Sequence, residues 1–390
     1  MWQNSNFKKA KSLGEEVAGK SLWNEAFKRL KRDKVAMFGA TLIIILVFVA
    51  ITANFISPYK YDKQFYNATT AYGMPLPMSS YSKKIEVIRN PGFSKEIFIP
   101  INTMFVTLDN KNSFKVPIDV KIAPSDINPY IPVSPIFTEA MALQPGTALK
   151  LEEGTIEGIN SFTLKNDNYF LLGTDSNGRD ILSRLIYGSR VSLEVGMIAV
   201  GIALIIGVVL GLVSGYFGGW VDIIIMRITD IMMSFPDLLL VMAIVGIIGP
   251  SFEIIFFAIG VVMWTGIARI VRGQVFSVRE MEFVEASKAS GSSNSRIIFK
   301  HIFPNVIAPV IVIATMDIAG AIMTEASLSF LGFGVKPPTA SWGGMINDGL
   351  SYFRDAPWLP ILPGVFIAIT VFSFNLFGDG LRDALDPKLK

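Results

Sequence analysis

Long apolar runs, separated by polar segments, constrain the fold of this 390-residue chain more than any other feature. A helix needs about 20 mostly apolar residues to cross a bilayer. The first such run covers residues 35–56. Five more follow at residues 191–214, 221–248, 252–270, 306–330 and 359–377. The pattern predicts an all-α polytopic membrane protein with six transmembrane helices.

The residue types present exclude several kinds of site. Charged residues make up 17% of the chain, against about 25% in a soluble globular protein. Cysteine is absent, which excludes disulfides, thiol catalysis and thiolate metal sites, and His301 is the single histidine, which excludes a multi-histidine metal centre. The net charge of +3 argues against a dedicated nucleic-acid binder. We therefore expect no metal and no cofactor in this chain.

Basic residues beside the apolar runs predict the orientation. Residues 1–34 form a polar N-terminal segment, in which the apolar spacing of residues 22–27 predicts an amphipathic helix on the membrane surface. A basic cluster directly before the first run consists of Lys28, Arg29, Lys31, Arg32 and Lys34. It predicts a cytoplasmic N-terminus and a first helix at 35–56 that is a retained signal anchor. Six crossings and the basic loop at 271–304 place the C-terminus on the same side.

Residues 57–170 differ from the rest of the chain. They are rich in Pro, Asn, Ser and Lys and contain short alternating runs such as Lys84-Ile85-Glu86-Val87-Ile88. Alternation of period two predicts short strands, and no run is long enough to span a bilayer. We expect a β-rich extracytoplasmic insertion, followed by a core at 171–390 that holds helices two to six.

A phosphate-loop spacing occurs near the N-terminus, at Gly14-Glu15-Glu16-Val17-Ala18-Gly19-Lys20-Ser21. A working motif of this kind needs a buried strand before it and a helix after it. Here polar and basic residues precede the pattern, and two glutamates occupy the loop. Chance spacing explains it better than a nucleotide site.

The most informative segment is the polar stretch at 282–304. Residues 282–290 predict a short helix with Ala and Ser on one side, and Gly291 is expected to end it with a positive φ. Residues 296–303 predict a second helical turn, and Pro304 opens the next span. A small-faced helix of this kind suits the groove of a partner protein. The residues alone leave an ordinary solvated loop equally open.

This segment resembles the EAA loop of ABC-importer permeases. Glu285-Ala286-Ser287, Gly291 and Phe303-Pro304 follow that pattern, with Ser287 in place of the second Ala and Phe303 in place of Leu. The run from Arg296 to Asn305, which includes His301, resembles the dipeptide and oligopeptide branch of the family. Other blocks that agree are Leu172-Gly173-Thr174-Asp175, Gly178-Arg179-Asp180, Glu325-Ala326-Ser327-Leu328-Ser329-Phe330-Leu331-Gly332-Phe333-Gly334, Ser341-Trp342-Gly343 and Asp379-Gly380-Leu381-Arg382-Asp383. The resemblance covers about 22–56 and 170–390 but not 57–168.

The resemblance implies a type I importer permease fold and the transport of peptides, in a bacterial or archaeal cytoplasmic membrane with 57–170 outside. It implies a second, homologous permease, two cytoplasmic ATPases that bind ATP and Mg, and an extracytoplasmic peptide-binding protein. This chain is then not an enzyme. Residues expected to form the ATPase-coupling loop are Glu285, Ala286, Ser287, Gly291, Arg296, His301 and Pro304. Related permeases also serve nickel complexes, so a nickel or other small-solute importer is an alternative.

Charges inside the apolar runs are the remaining candidates. Asp317 and Glu325 lie eight residues apart, roughly on one face of the fifth span, and either line the translocation path or form a polar contact between helices. Arg227 and Asp230 are expected near the inner surface with structural roles. His301 has no evident acid–base partner and is interpreted as a loop residue.

Two other classes of protein remain as distant alternatives. A secondary transporter or channel would be expected to show coupling-ion sites and internal repeats, and no clear repeat is visible among the six spans. A membrane enzyme would need a nucleophile or metal constellation, and none is apparent.

Overall fold

The structure is a computed structural model. It describes residues 22–65, 74–81 and 168–386, together with the backbone of short strands between residues 85 and 164. The phosphate-loop spacing at 14–21 therefore lies outside the described residues.

Long helices dominate the described residues. Two helices precede the insertion, α1 (Leu22–Arg32) and α2 (Lys34–Ile56). The others are α3 (Ile181–Phe217), α4 (Gly219–Met233), α5 (Asp237–Ile248), α6 (Phe252–Arg279), α7 (Glu282–Ala289), α8 (Asn294–Arg296), a π-helical segment (Ile297–Ile302), α9 (Phe303–Phe330), α10 (Trp342–Leu350) and α11 (Trp358–Leu385). Among the described residues, five helices are long and apolar enough to cross a membrane, or six if α4 and α5 form one span. The predicted all-α polytopic fold is confirmed.

The α4–α5 pair differs from a straight span. The two helices meet at an angle of 85°, at the Ser234-Phe235-Pro236 break. Proline lacks a main-chain N–H and disfavours helical geometry at the residue before it, so the helix ends here.

Helix α3 differs from its expected bounds of 191–214, because it begins ten residues earlier. Asp180 precedes its first turn, and its carboxylate accepts the main-chain N–H of Ser183 at 2.7 Å.

Strands in the described residues between α2 and α3 are two to five residues long. They are β1 (Ser80–Tyr81), β2 (Ile85–Arg89), β3 (Ile97–Pro100), β4 (Phe105–Val106), β5 (Lys121–Ile122), β6 (Tyr130–Val133), β7 (Met141–Ala142), β8 (Thr147–Ala148), β9 (Ser161–Leu164) and β10 (Tyr169–Phe170). An antiparallel sheet has the order β6-β3-β2-β9, and three pairs join β1 to β10, β4 to β7 and β5 to β8. Most residues of this region are outside the described part, so the β-rich insertion as a folded domain stays a prediction.

The described chain divides into two compact units. The first comprises Met1–Phe48, Ser192–Gly334 and Phe366–Lys390. A stripe of glycines on α3 brings this helix into close contact with α6. A Cβ added at Gly211 would lie 2.7 Å from the Ala268 carbonyl oxygen and from the Cβ of Val271. Gly207 and Gly215 are equally tight against the same helix, because small residues at four-residue spacing let another helix pack close.

The second unit comprises Val49–Val191 and Val335–Val365. A buried ionic cluster lies in it, where Arg179 Nε is 2.5 Å and Arg184 Nε is 3.6 Å from the Asp175 carboxylate. The indole N–H of Trp342, a fully buried residue, donates to the Leu185 carbonyl at 3.0 Å. The buried charges of Asp175, Arg179 and Arg184 are thus paired, as burial requires, and Trp342 joins the block at 341–343 to α3 within the same unit.

Candidate functional site

Helix α7 carries the first part of the predicted coupling loop. Gly291 follows it with a φ of 74°, in the left-handed region expected for a helix-ending glycine. The main-chain N–H of Gly291 donates to the Lys288 carbonyl at 2.9 Å, and that of Ser292 donates to the Ser287 carbonyl at 3.2 Å. These two bonds form a Schellman motif, which fixes the direction in which the chain leaves the helix.

One side of α7 holds it to the rest of the unit. Val284 is fully buried and belongs to an apolar cluster with Val278 at the end of α6 and with Ile297 and Ile302 of the π-helical segment. Glu285, Ala286 and Gly291 are exposed on the remaining surface, Ser287 is half-buried, and Phe283 exposes 41% of its surface. The helix is thus fixed from one side and open on the other.

The second part of the loop is less regular than expected. Residues 297–302 form a π-helical segment instead of an α-helical turn. Arg296 is exposed, His301 is half-buried, and the carbonyl of His301 accepts a bond from the Asn305 side chain at 2.6 Å. Pro304 lies in the first turn of α9, where its missing N–H costs nothing. Phe299 exposes 65% of its surface beside this turn, and no sequence motif indicates it.

A polar network joins the same region to α3 and α4. Asp222 of α4 accepts two bonds from the Arg272 guanidinium, at 2.5 and 2.6 Å, and one from Ser214 of α3. Arg279 donates to the Gly215 carbonyl at 3.0 Å. Sequence reasoning missed this network, since its members are separated by up to 65 positions and no local pattern connects them.

A second link reaches the predicted coupling loop itself. The hydroxyl of Tyr216, in the last turn of α3, lies 2.9 Å from Asn294 Oδ1, and Lys288 Nζ lies 5.8 Å from the Tyr216 ring centroid. Through Tyr216, the end of α3 is therefore in contact with both halves of the loop at 282–304.

The intramembrane acids are placed differently from one another. Glu325 is fully buried, and Ser329, one turn later, donates to its carboxylate at 2.7 Å. Asp317 is half-buried on the same helix. Glu325 is thus the more deeply buried of the two acids, and the choice between translocation path and helix packing stays a prediction for both.

Asp230 and Arg227 have separate environments. Asp230 pairs with Arg269 of α6 at 2.7 Å, with both side chains about half exposed. Arg227 is exposed on α4. A pair as exposed as that of Asp230 contributes little stability, at most about 1 kcal/mol.

A cleft of about 670 Å³ lies between α6, α9 and the end of α11. Its apolar lining comes from both long helices and includes Met316, one residue before Asp317. Polar side chains enter it from Gln274, Arg382 and Asp386. An apolar cleft with a few polar groups of both signs is a common form of small-molecule site. Within the described residues, no group of three acidic or histidine side chains could hold a metal ion.

Comparison with known proteins identifies the family to which this chain belongs. The family described as "Binding-protein-dependent transport system inner membrane component" matches residues 207–390, and "N-terminal TM domain of oligopeptide transport permease C" matches residues 21–75. The dipeptide transport system permease protein DppC of Alkalihalophilus pseudofirmus is 51% identical over 218 residues, which cover 56% of this chain and 72% of that protein. This chain belongs to the family of binding-protein-dependent transport permeases. The predicted relationship to dipeptide and oligopeptide permeases is confirmed.

Other known proteins are also similar to this chain. The oligopeptide transport system permease protein OppC of Haemophilus influenzae is 46% identical to this chain. The matched residues cover 57% of this chain and 71% of OppC. The glutathione transport system permease protein GsiD of Pectobacterium atrosepticum is 44% identical to this chain. The matched residues cover 56% of this chain and 73% of GsiD. A solved structure of the MetNI methionine ABC transporter, in inward-facing form, has a chain that matches 52% of this chain over 96% of its own length. The TM-score is 0.43 and the sequence identity is 19%. Residues 76–206, which hold most of the insertion, lie outside both family matches.

Proposed function

We propose that this permease is a transmembrane subunit of an ATP-driven importer of dipeptides or oligopeptides, and that it couples to cytoplasmic ATPases through the loop at 282–304. The observation that carries the proposal is the placement of α7, which is anchored by Val284 and exposes Glu285 and Ala286. The names of the relatives, which are dipeptide, oligopeptide and glutathione permeases, support a peptide substrate.

Coupling follows from the way the loop is held. Val284, Ile297 and Ile302 share one apolar cluster with Val278 of α6, so a force on α7 reaches both helices that flank the loop. Packed side chains transmit such a displacement because protein interiors are close to incompressible. Closure of the ATPases on ATP would pull the loop and favour an outward-open state, and hydrolysis would restore the inward-open state. The ATPases must bind the two states with different affinity for this to work.

The remaining subunits complete the transporter. A second, homologous permease would form the other half of the path, two ATPases would bind ATP and Mg, and an extracytoplasmic binding protein would deliver the peptide. Both termini of this chain would then be cytoplasmic, with 57–170 outside. The cleft that includes Met316, with the neighbouring Asp317, is our candidate for the inner part of the path in this subunit.

Two glycines provide a matched test of the coupling loop. Gly291 and Gly249 both have a positive φ, 74° and 107°, and neither has an atom within 4 Å of an added Cβ. Valine at either position strains the backbone without a clash, since a β-branched residue is a severe outlier at positive φ. In the reconstituted complex we expect Gly291→Val to lose peptide-stimulated ATP hydrolysis and uptake, and Gly249→Val to retain both.

A third variant tests the docking surface without backbone strain. Ala286→Arg adds a long charged side chain at an exposed position of α7, and we expect it to release the ATPases while the permease stays folded. Unchanged peptide-stimulated hydrolysis in both Gly291→Val and Ala286→Arg would refute the coupling role. Peptide transport by this chain alone in liposomes, without an ATPase, would refute the function.

A further inference from the structure

The N-terminal helix α1 uses its apolar side within the protein. Ala26 and Leu30, one turn apart, are exposed by only 7% and 9% and pack in a cluster with Leu381, Ala384 and Leu385 of α11. Arg29 adds a bond from its guanidinium to the Asp386 carbonyl at 3.4 Å. These apolar side chains are therefore not free to enter the acyl layer, as they would in a helix that lies alone on a membrane.

The opposite side of α1 is basic and exposed. Phe27 exposes 55% of its surface, and Lys28, Lys31 and Arg32 are all exposed. Lys31 Nζ lies 4.6 Å from the centroid of the Phe27 ring. We call these four residues the basic face. None of its three cations forms an ion pair with a carboxylate among the described residues.

The neighbouring acid is already occupied. Asp33 separates α1 from α2, and its carboxylate accepts the main-chain N–H groups of Val35 and Ala36 at 2.9 and 3.1 Å. It thereby caps the first turn of α2 and complements the positive end of that helix. Its hydrogen bonds are made with the backbone of α2, and no ion pair joins it to the cations of the basic face among the described residues.

The basic face lies directly before the exposed apolar surface of α2. Helix α2 begins at Lys34, and its first turns expose Val35 and Phe38, each by 56%. Apolar side chains exposed on a transmembrane helix contact acyl chains, so residues one or two turns before them are at the level of the headgroups. Cations and an aromatic ring at this depth are complementary to a lipid with an anionic headgroup.

We propose that the basic face binds the headgroups of anionic phospholipids. The ammonium groups of Lys28 and Lys31 and the Arg32 guanidinium would contact lipid phosphates, and the Phe27 ring would lie at the boundary with the acyl chains. Each Lys or Arg near an anionic surface strengthens association by about fivefold, so removal of three should weaken it by up to about a hundredfold. The proposal does not depend on the transported substrate.

The test uses the full-length chain, purified with the subunits that accompany it. The variant Lys28→Gln/Lys31→Gln/Arg32→Gln removes the charge of the basic face. A control with equal loss of charge is Lys60→Gln/Lys336→Gln/Arg354→Gln, which changes exposed residues of the second unit. Native mass spectrometry would measure the retention of phosphatidylglycerol relative to phosphatidylcholine. That ratio, taken within each variant, cancels any general loss of stability.

We expect the first variant to lose most of the preference for phosphatidylglycerol and the control to keep it. Lys28→Arg/Lys31→Arg keeps the charge and should keep the preference. Equal retention by the first variant and the unchanged protein would overturn the proposal, as would equal losses in the first variant and the control. Displacement of the lipid by millimolar inorganic phosphate would indicate a site for soluble anions. Loss of the ATPases without loss of the lipid would assign the face to a protein partner, and either result would overturn the proposal.

Discussion

Two glycines of α3 allow the close packing against α6 to be measured. Gly211 has no room for a side chain, because an added Cβ would lie 2.7 Å from two atoms of α6. Gly201 lies on the same helix and has no atom within 4 Å of such a Cβ. Alanine at either position gains about 1 kcal/mol in helix propensity over glycine. The difference in stability between Gly211→Ala and Gly201→Ala therefore isolates the steric cost of the helix contact.

The expected size of that difference follows from the geometry. Ordinary van der Waals contact begins at 3.4 Å, so α3 and α6 must separate locally by about 0.7 Å to accept the Gly211 methyl group. A gap of about 0.5–1 Å forfeits about a quarter to a half of the dispersion energy of the atoms facing it. Overpacking of this kind costs about 1–3 kcal/mol in protein interiors. We expect Gly211→Ala to be less stable than Gly201→Ala by this amount.

Reversible unfolding of the purified chain in mixed micelles, with increasing denaturing detergent, would give the two free energies of unfolding. Gly201→Ala should equal or exceed the unchanged protein, and Gly211→Ala should fall below it. Equal stability of the two variants would show that the helices separate without cost at Gly211. The close approach would then not contribute to the stability of the fold, and the reasoning from the glycine stripe would fail.

Three further outcomes are expected. Asp222→Asn weakens the bidentate pair with Arg272 and should lower the free energy of unfolding by about 1–3 kcal/mol in the same assay. Asp230→Asn, in a half-exposed pair, should lower it by less than about 1 kcal/mol. The reverse order would contradict the argument from burial. Trp342→Phe removes a buried hydrogen bond and part of a buried ring, so it should cost about 1–3 kcal/mol in that assay, and an unchanged free energy of unfolding would refute this role. Burial raises the pKa of Asp180 above its ordinary value, so the folded chain takes up this proton at a higher pH than the unfolded chain. Its contribution to stability should therefore rise as the pH falls through that window, and Asp180→Asn should remove this component; the same pH dependence in the variant would contradict the assignment.

The sequence predicted well wherever the cause is local. Gly291 ends α7 with a positive φ because the chain must reverse there and only glycine does so without strain. The break at Ser234-Phe235-Pro236, inside the run at 221–248, also has a local cause, because it follows from the geometry of proline. The angle of 85° between α4 and α5 does not, because it depends on what the two helices pack against. The π-helical segment was missed for a similar reason, since burial of Ile297 and Ile302 is a property of their surroundings.

Residues far apart in the chain account for the rest of the site. The network of Asp222, Arg272 and Ser214 joins three helices, and nothing in the local sequence of any one of them indicates the other two. The candidate cleft likewise exists only where α6, α9 and α11 meet. Glu325 and Asp317 were predicted from the sequence to have the same two possible roles. The structure distinguishes them, because Glu325 is fully buried and Asp317 is half-buried.

The sequence by itself determined the membrane fold, the positions of most helices and the resemblance to a permease family, because span length, helix ends and motif spacing are local properties. Only the tertiary structure decided which helix the glycine stripe meets, and that the apolar side of α1 is covered by α11. The physical reason is the same in both cases. Apolar and small side chains specify that a surface will be buried, whereas the partner that buries it is chosen by the packing of the whole chain.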